Sequence, residues 1–70
     1  MNAAAVRRTL DTLIQARGED YASVSRLIGR NPTYIQQFIR RGVPRKLDED
    51  DRRTLARHFD VPEHVLGGPA

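Results

Sequence analysis

Residues 20–46 read DYASVSRLIGRNPTYIQQFIRRGVPRK, and the spacing of apolar residues and glycines in this stretch decides the fold. Val24, Leu27 and Ile28 recur at the spacing of one helix face, Gly29 interrupts, and Ile35, Phe38 and Ile39 resume the same period. Asp20 is a suitable N-cap for a helix over 21–28, because its carboxylate can accept a first-turn N–H, and Gly29 supplies the stop. Asn31-Pro32 is the clearest start signal in the chain. Asn caps, and Pro fits the first helical position because its missing N–H would have had no partner there. A further helix is therefore expected from Pro32 to about Arg40, ending near Gly42. From Arg26 to Lys46 there are six basic residues and no acidic one.

Upstream, the stripe Ala3, Val6, Leu10, Leu13 and Ile14 predicts a first helix over 3–16 with its stop at Gly18. Downstream, Asp48, Glu49, Asp50 and Asp51 precede the apolar positions Leu55, Ala56 and Phe59. Acidic residues there cap a fourth helix and complement its dipole. A short fifth helix over 62–66 would add Val65 and Leu66 to the core. Gly67-Gly68-Pro69-Ala70 cannot continue a helix. The expectation is an all-α bundle of about five short helices over 1–68, with 69–70 opening a linker or tail. In it, the pair around Gly29 forms a helix-turn-helix.

Seventy residues, 39% of them hydrophobic, suffice for one small domain, and a chain of this length buries only about 60% of its unfolded surface. The absence of cysteine excludes disulfides and thiolate metal sites. No apolar run approaches the roughly 20 residues of a membrane span, and no signal-peptide core is present, so a cytoplasmic protein without membrane contact is expected. The net charge is +3 and unevenly placed. Residues 1–46 hold nine basic and three acidic side chains, and residues 47–70 hold three basic and six acidic ones. Eleven of the twelve basic residues are Arg, whose planar guanidinium suits bidentate contact with phosphate or guanine. Arginine-rich helical surfaces also arise in arginine-biased proteomes without any such partner.

On a wheel of about 100° per residue, Ile35, Phe38 and Ile39 face inward, and Thr33, Gln36, Gln37 and Arg40 face away. These are hydrogen-bonding side chains without a carboxylate among them. Gln pairs with adenine, Arg with guanine, and Thr touches either partner class or a thymine methyl. The alternative is an ordinary solvated face, which usually mixes in Glu or Asp. Arg30, Arg41, Arg45 and Lys46 are better placed for phosphate, which sets register without reading sequence. Tyr34 reaches a phosphate through its hydroxyl or packs at the helix edge. The first amides of the second helix, with Ser23 nearby, offer a further phosphate position.

Enzymatic chemistry finds no constellation. Ser23 and Ser25 have no base paired with them, and His58 and His64 miss the i, i+4 spacing of a helical metal pair. His58 beside Asp60 reads as an edge histidine. No catalytic residue, metal ligand, cofactor or small-molecule substrate is expected.

The layout Val24-x3-Ile28-Gly29-x5-Ile35-x2-Phe38 resembles the Cro/cI-type (XRE-like) helix-turn-helix family. So do the later runs Gly42-x-Pro44-x2-Leu47, Leu55-Ala56-x2-Phe59-x-Val61 and Leu66-Gly67. The string RNPTYIQQFIRRGVPRKLDEDD is similar to the N-terminal domains of bacterial phage-repressor-like regulators, many of which continue into a LexA-type self-cleaving serine peptidase domain. The resemblance implies a lambda-repressor-like fold and a transcriptional regulator, a repressor, binding a palindromic double-stranded operator as a homodimer. It implies base contacts from Asn31, Thr33, Gln36 and Gln37, and backbone contacts from Ser23, Tyr34, Arg41, Arg45 and Lys46. Two positions depart from the family pattern. Ser25 stands where a small apolar residue is usual, and Arg30 stands where an apolar one is usual, which implies a turn open to solvent or DNA. The rival expectation is a small helical protein-interaction module, antitoxin-like or adaptor, using residues 47–66 and marked by a large exposed apolar patch.

Overall fold

The computed structural model describes residues 2–69, and all of its regular structure is helical. Helix α1 spans Ala3–Ala16, α2 Tyr21–Leu27, α3 Tyr34–Arg41 and α4 Glu49–Phe59, followed by a 3₁₀ turn at Glu63–Leu66. The fifth helix expected from the sequence is thus a single 3₁₀ turn. Pro62 before it and Gly67 at φ +94° after it leave only four residues, too few to propagate an α-helix.

Helix α1 begins where Asn2 Oδ1 accepts the Ala5 N–H at 2.7 Å and ends before Gly18, as its stripe requires. Val6, Leu10 and Ile14 form its buried edge, whereas Leu13 is half-buried and Ala3 is exposed. Asp20 caps α2 by accepting the Ser23 N–H at 2.7 Å. That helix stops one residue short of the expected Ile28, at a turn where Gly29 adopts φ +72°, a conformation costly to a side chain with a Cβ. Val24 is buried and Ile28 half-buried, but Leu27, expected on the same face, is 44% exposed.

Helix α3 starts two residues later than the Asn31-Pro32 signal predicts. Asn31 Oδ1 accepts the Thr33 N–H at 3.0 Å and the Thr33 hydroxyl at 2.7 Å, and the Tyr34 N–H reaches the Asn31 carbonyl at 3.0 Å. Asn31 therefore organises a turn that contains Pro32 instead of capping a helix that begins with it. At the other end Gly42, at φ +68°, lets the Val43 N–H return to the Gln37 carbonyl. Asp48 caps α4, its carboxylate accepting the Asp50 N–H at 3.3 Å.

Helix α1 packs on one side against α3 and on another against the 3₁₀ turn, α2 packs against α3, and α4 closes on the 3₁₀ turn. The core they share comprises Val6, Leu10, Ile14, Val24, Ile35, Phe38, Leu47, Leu55, Ala56, Phe59 and Leu66. Each large member contributes about 1.5–3 kcal/mol by leaving water. No buried side-chain nitrogen or oxygen among the described residues lacks a hydrogen-bond partner. None of the described helices is long and apolar enough to cross a membrane.

Candidate nucleic-acid interface

Burial of Ile35 and Phe38 against α1 and α2 turns the opposite side of α3 outward, and Thr33, Gln36, Gln37 and Arg40 are all exposed there. Gln36 and Gln37 make no side-chain hydrogen bond to another described residue, so their amides are free to pair. Asn31 and Thr33 are exposed as well, but hydrogen-bonded to each other. Their remaining capacity is the Asn31 amide hydrogens and the Thr33 oxygen lone pairs. Arg40 leans away from the Gln pair, its guanidinium 5.8 Å from the centre of the Tyr21 ring.

The angle at which α3 leaves the turn is fixed from both sides. Ser25 is fully buried. Its hydroxyl donates to the Tyr21 carbonyl at 2.8 Å and accepts the buried Ile35 N–H at 3.0 Å. One of the orphan donors of the first turn of α3 is thus satisfied by a side chain from α2, a role that alanine could not perform. From the other side, Arg30 donates from Nε and Nη2 to Asp51 Oδ2, both at 2.9 Å. Asp51 is only 6% exposed, so the acidic cluster is not simply a solvated run. The Arg30 guanidinium also lies 4.9 Å from the centre of the Tyr34 ring. Bonding to Asp51 raises the Arg30 pKa above its ordinary value, and burial raises that of Tyr34.

This pairing and the Asp20 cap bear on three expected backbone contacts. Arg30 is engaged by a carboxylate and lies over an aromatic ring while remaining exposed, so an ion pair braces the turn at a solvent-facing position. Tyr34 is half-buried beneath it, which matches packing at the helix edge. Of the first amides of α2, expected with Ser23 to be open to a phosphate, that of Ser23 is taken by the Asp20 carboxylate, and that bond holds the Asp20 pKa below its ordinary value. Arg41, Arg45 and Lys46 remain exposed, with no ion pair among the described residues.

Elsewhere arginines do have partners. Arg52 meets Glu63 at 3.2 Å, Arg53 meets Asp50 at 3.3 Å and Glu49 at 3.6 Å, and Arg17 meets Glu19 at 3.6 Å. Arg17 also donates to the His58 carbonyl. His58 Nε2 faces both oxygens of Glu19, at 2.8 and 3.0 Å, tying the α1–α2 connection to the end of α4. His58 is half-buried there, in keeping with an edge histidine.

Sequence reasoning missed Arg7 and Arg8. They lie off the apolar stripe of α1, and the fold brings Arg7 to the end of α3, where a Cβ on Gly42 would sit 2.9 Å from Arg7 Nη1. It also missed Asp11, whose Oδ1 accepts the Tyr21 hydroxyl at 2.6 Å. That bond lowers the Asp11 pKa and raises that of Tyr21.

No protein-family model, curated protein or solved structure matches this chain.

Proposed function

We propose that this chain is a sequence-specific DNA-binding domain of the helix-turn-helix type, similar to the Cro/cI-type family, and that it serves a bacterial transcriptional regulator acting as a repressor. The observation that carries the reading is the outer stripe of α3. It exposes Gln36, Gln37 and Thr33 without a carboxylate, and it is bordered by cations that have no ion-pair partner among the described residues.

In the proposed complex α3 lies in the major groove, which is about 12 Å wide and admits one helix. Gln36 and Gln37 offer the donor and acceptor pair that matches adenine N7 and N6. Asn31 and Thr33 read the neighbouring position through the capacity they do not spend on each other. Arg41, Arg45 and Lys46 follow the phosphates and release counterions. A dimer would place two copies of α3 about 34–36 Å apart on a palindromic operator and exclude polymerase from it. Within 47–66, Leu47, Leu55, Phe59 and Leu66 are buried and Val61 and Val65 half-buried, which counts against the large exposed apolar patch that the protein-interaction alternative calls for.

The test is selection from a random-sequence duplex pool at low and at near-physiological salt, followed by sequencing of the retained DNA. An enriched palindrome is the expected result, and failure to bind any duplex at low salt overturns the reading. On the selected site, Gln37→Ala should cost about 1–3 kcal/mol and leave random DNA nearly unaffected. Equal losses on both would remove Gln37 from the base readers.

A further inference from the structure

The strongest charged feature outside the stripe of α3 is a shallow recess of about 350 Å³ between α1 and the end of α3, lined by Ala4, Arg7, Arg8, Asp11, Ile39 and Arg40. Three guanidinium groups and one carboxylate meet there. One oxygen of that carboxylate is engaged, Asp11 Oδ1 accepting the Tyr21 hydroxyl at 2.6 Å and a Gln15 amide hydrogen at 3.3 Å, and a single carboxylate offsets only one of the three positive charges. None of the three arginines forms an ion pair with it, although Arg40 is near enough to favour its charged form. The recess therefore holds a surplus of positive charge that the protein itself does not neutralise. On α4, by contrast, Arg52 and Arg53 meet carboxylates, as does Arg17 beside Gly18.

Its position gives that charge a direction. Arg40 is one helical turn beyond Gln36 on the same outward stripe, so the recess adjoins the face proposed to enter the groove. Arg7 lies over Gly42, where a Cβ would come within 2.9 Å of its Nη1, so α1 and the end of α3 are held at guanidinium range of one another. A strand of duplex running past the end of α3 meets Arg40 first and the two α1 arginines behind it. Guanidinium forks are shaped for the paired oxygens of a phosphodiester, and like charges gathered in one recess are relieved by such an anion.

Resting on the DNA-binding reading, we infer that Arg7, Arg8 and Arg40 form a clamp for one backbone phosphate of duplex DNA, extending the interface from α3 onto α1. Arg40 then serves the backbone instead of reading a base, consistent with its lean toward Tyr21 and α1.

The experiment compares the wild-type chain with Arg7→Ala/Arg8→Ala on one random-sequence duplex and on the selected operator, over a series of salt concentrations. The slope of log K against log salt should become shallower by about 0.9, the value of one phosphate contact, with the same fold-loss on both DNAs. Arg7→Lys/Arg8→Lys should restore most of the slope, since the charge is kept. An unchanged slope, or a loss confined to the operator, overturns the clamp while leaving the DNA-binding reading intact. A wild-type chain that binds no duplex removes both. Because Arg7 covers Gly42, the thermal midpoint of each variant is measured alongside. Should the double variant not fold, Arg8→Ala alone, exposed on α1, must still flatten the slope or the clamp is excluded.

Discussion

At the start of α3, Ser25 accepts the Ile35 N–H, Asn31 holds Thr33, and Arg30 is bonded to Asp51. At its end, Arg40, Arg41, Arg45 and Lys46 stand without an ion pair among the described residues. One helix thus has a pinned entrance and an open exit. Arginine appears at both, and its role differs because of what the fold brings to it. At the entrance a nearly buried carboxylate turns the guanidinium into a structural strut. At the exit the carboxylate lining the recess beside Arg40, that of Asp11, accepts from Tyr21 and Gln15 through one oxygen and forms no ion pair with an arginine. An arginine that stabilises the fold and one available to a polyanion can therefore be separated by experiment, one through melting and the other through salt.

The largest effect is expected at the entrance. Ser25→Ala removes the acceptor of the Ile35 N–H and leaves that donor buried without a partner. The cost is about 1–3 kcal/mol, and for a domain of this size each kcal/mol moves the thermal midpoint by roughly 4–8 °C. A midpoint equal to that of the wild type would mean that the Ile35 amide finds another acceptor and that the entrance is not pinned by Ser25.

Next come two arginine variants that should behave oppositely. Arg30→Ala strands the nearly buried Asp51 and uncovers Tyr34, so the thermal midpoint falls while the salt dependence of DNA binding keeps its slope. Arg45→Ala leaves the midpoint unchanged and lowers the slope by about one. If Arg30→Ala flattened the slope instead, Arg30 would be a phosphate contact and the distinction between the two ends would fail. Thermal melts and salt titrations of the same two samples decide it.

The pinned entrance also shows what could be read in advance. The bounds of α1 follow from a five-member apolar stripe and a terminal glycine, both local signals. The outward set Thr33, Gln36, Gln37 and Arg40 follows from the period that places Ile35 and Phe38 inside, and all four are exposed. The start of α3 was misplaced because Asn31 has two local uses. It can cap a helix beginning at Pro32 or organise a turn around it, and the tertiary bond from Ser25 to the Ile35 N–H favours the later start. Arg30 looked available because Asp51 lies 21 positions away in sequence. The approach of Arg7 to Gly42 spans an even longer separation. Charge and period are written locally, whereas the partner that decides a charge's role is supplied by packing.

The smallest effect expected is in acid, and it separates neutral from carboxylate contacts. Asp11 and Asp20 both titrate below their ordinary value of 3.8, Asp11 mainly because Tyr21 donates to it and Asp20 mainly because the Ser23 N–H does. A folded-state pKa below the unfolded one means that the ionised form is favoured by folding. Each contribution is therefore fully present above about pH 5, about one unit above the unfolded-state value, and is lost as the pH falls from there through the folded-state value. The midpoint should hold steady from neutrality to about pH 5 and then decline, with the start of α2 and the Tyr21 contact loosening first. The Ser25 bond, which involves no titrating group, should survive the same range, so the Ile35 amide should stay protected from exchange while the Ser23 amide loses protection. Asp20→Asn keeps a good N-cap but removes the titration, so it should match the wild type at neutral pH and decline less in acid. Simultaneous loss of protection at Ser23 and Ile35 would show instead that the entrance of α3 has no stability of its own beyond that of α2.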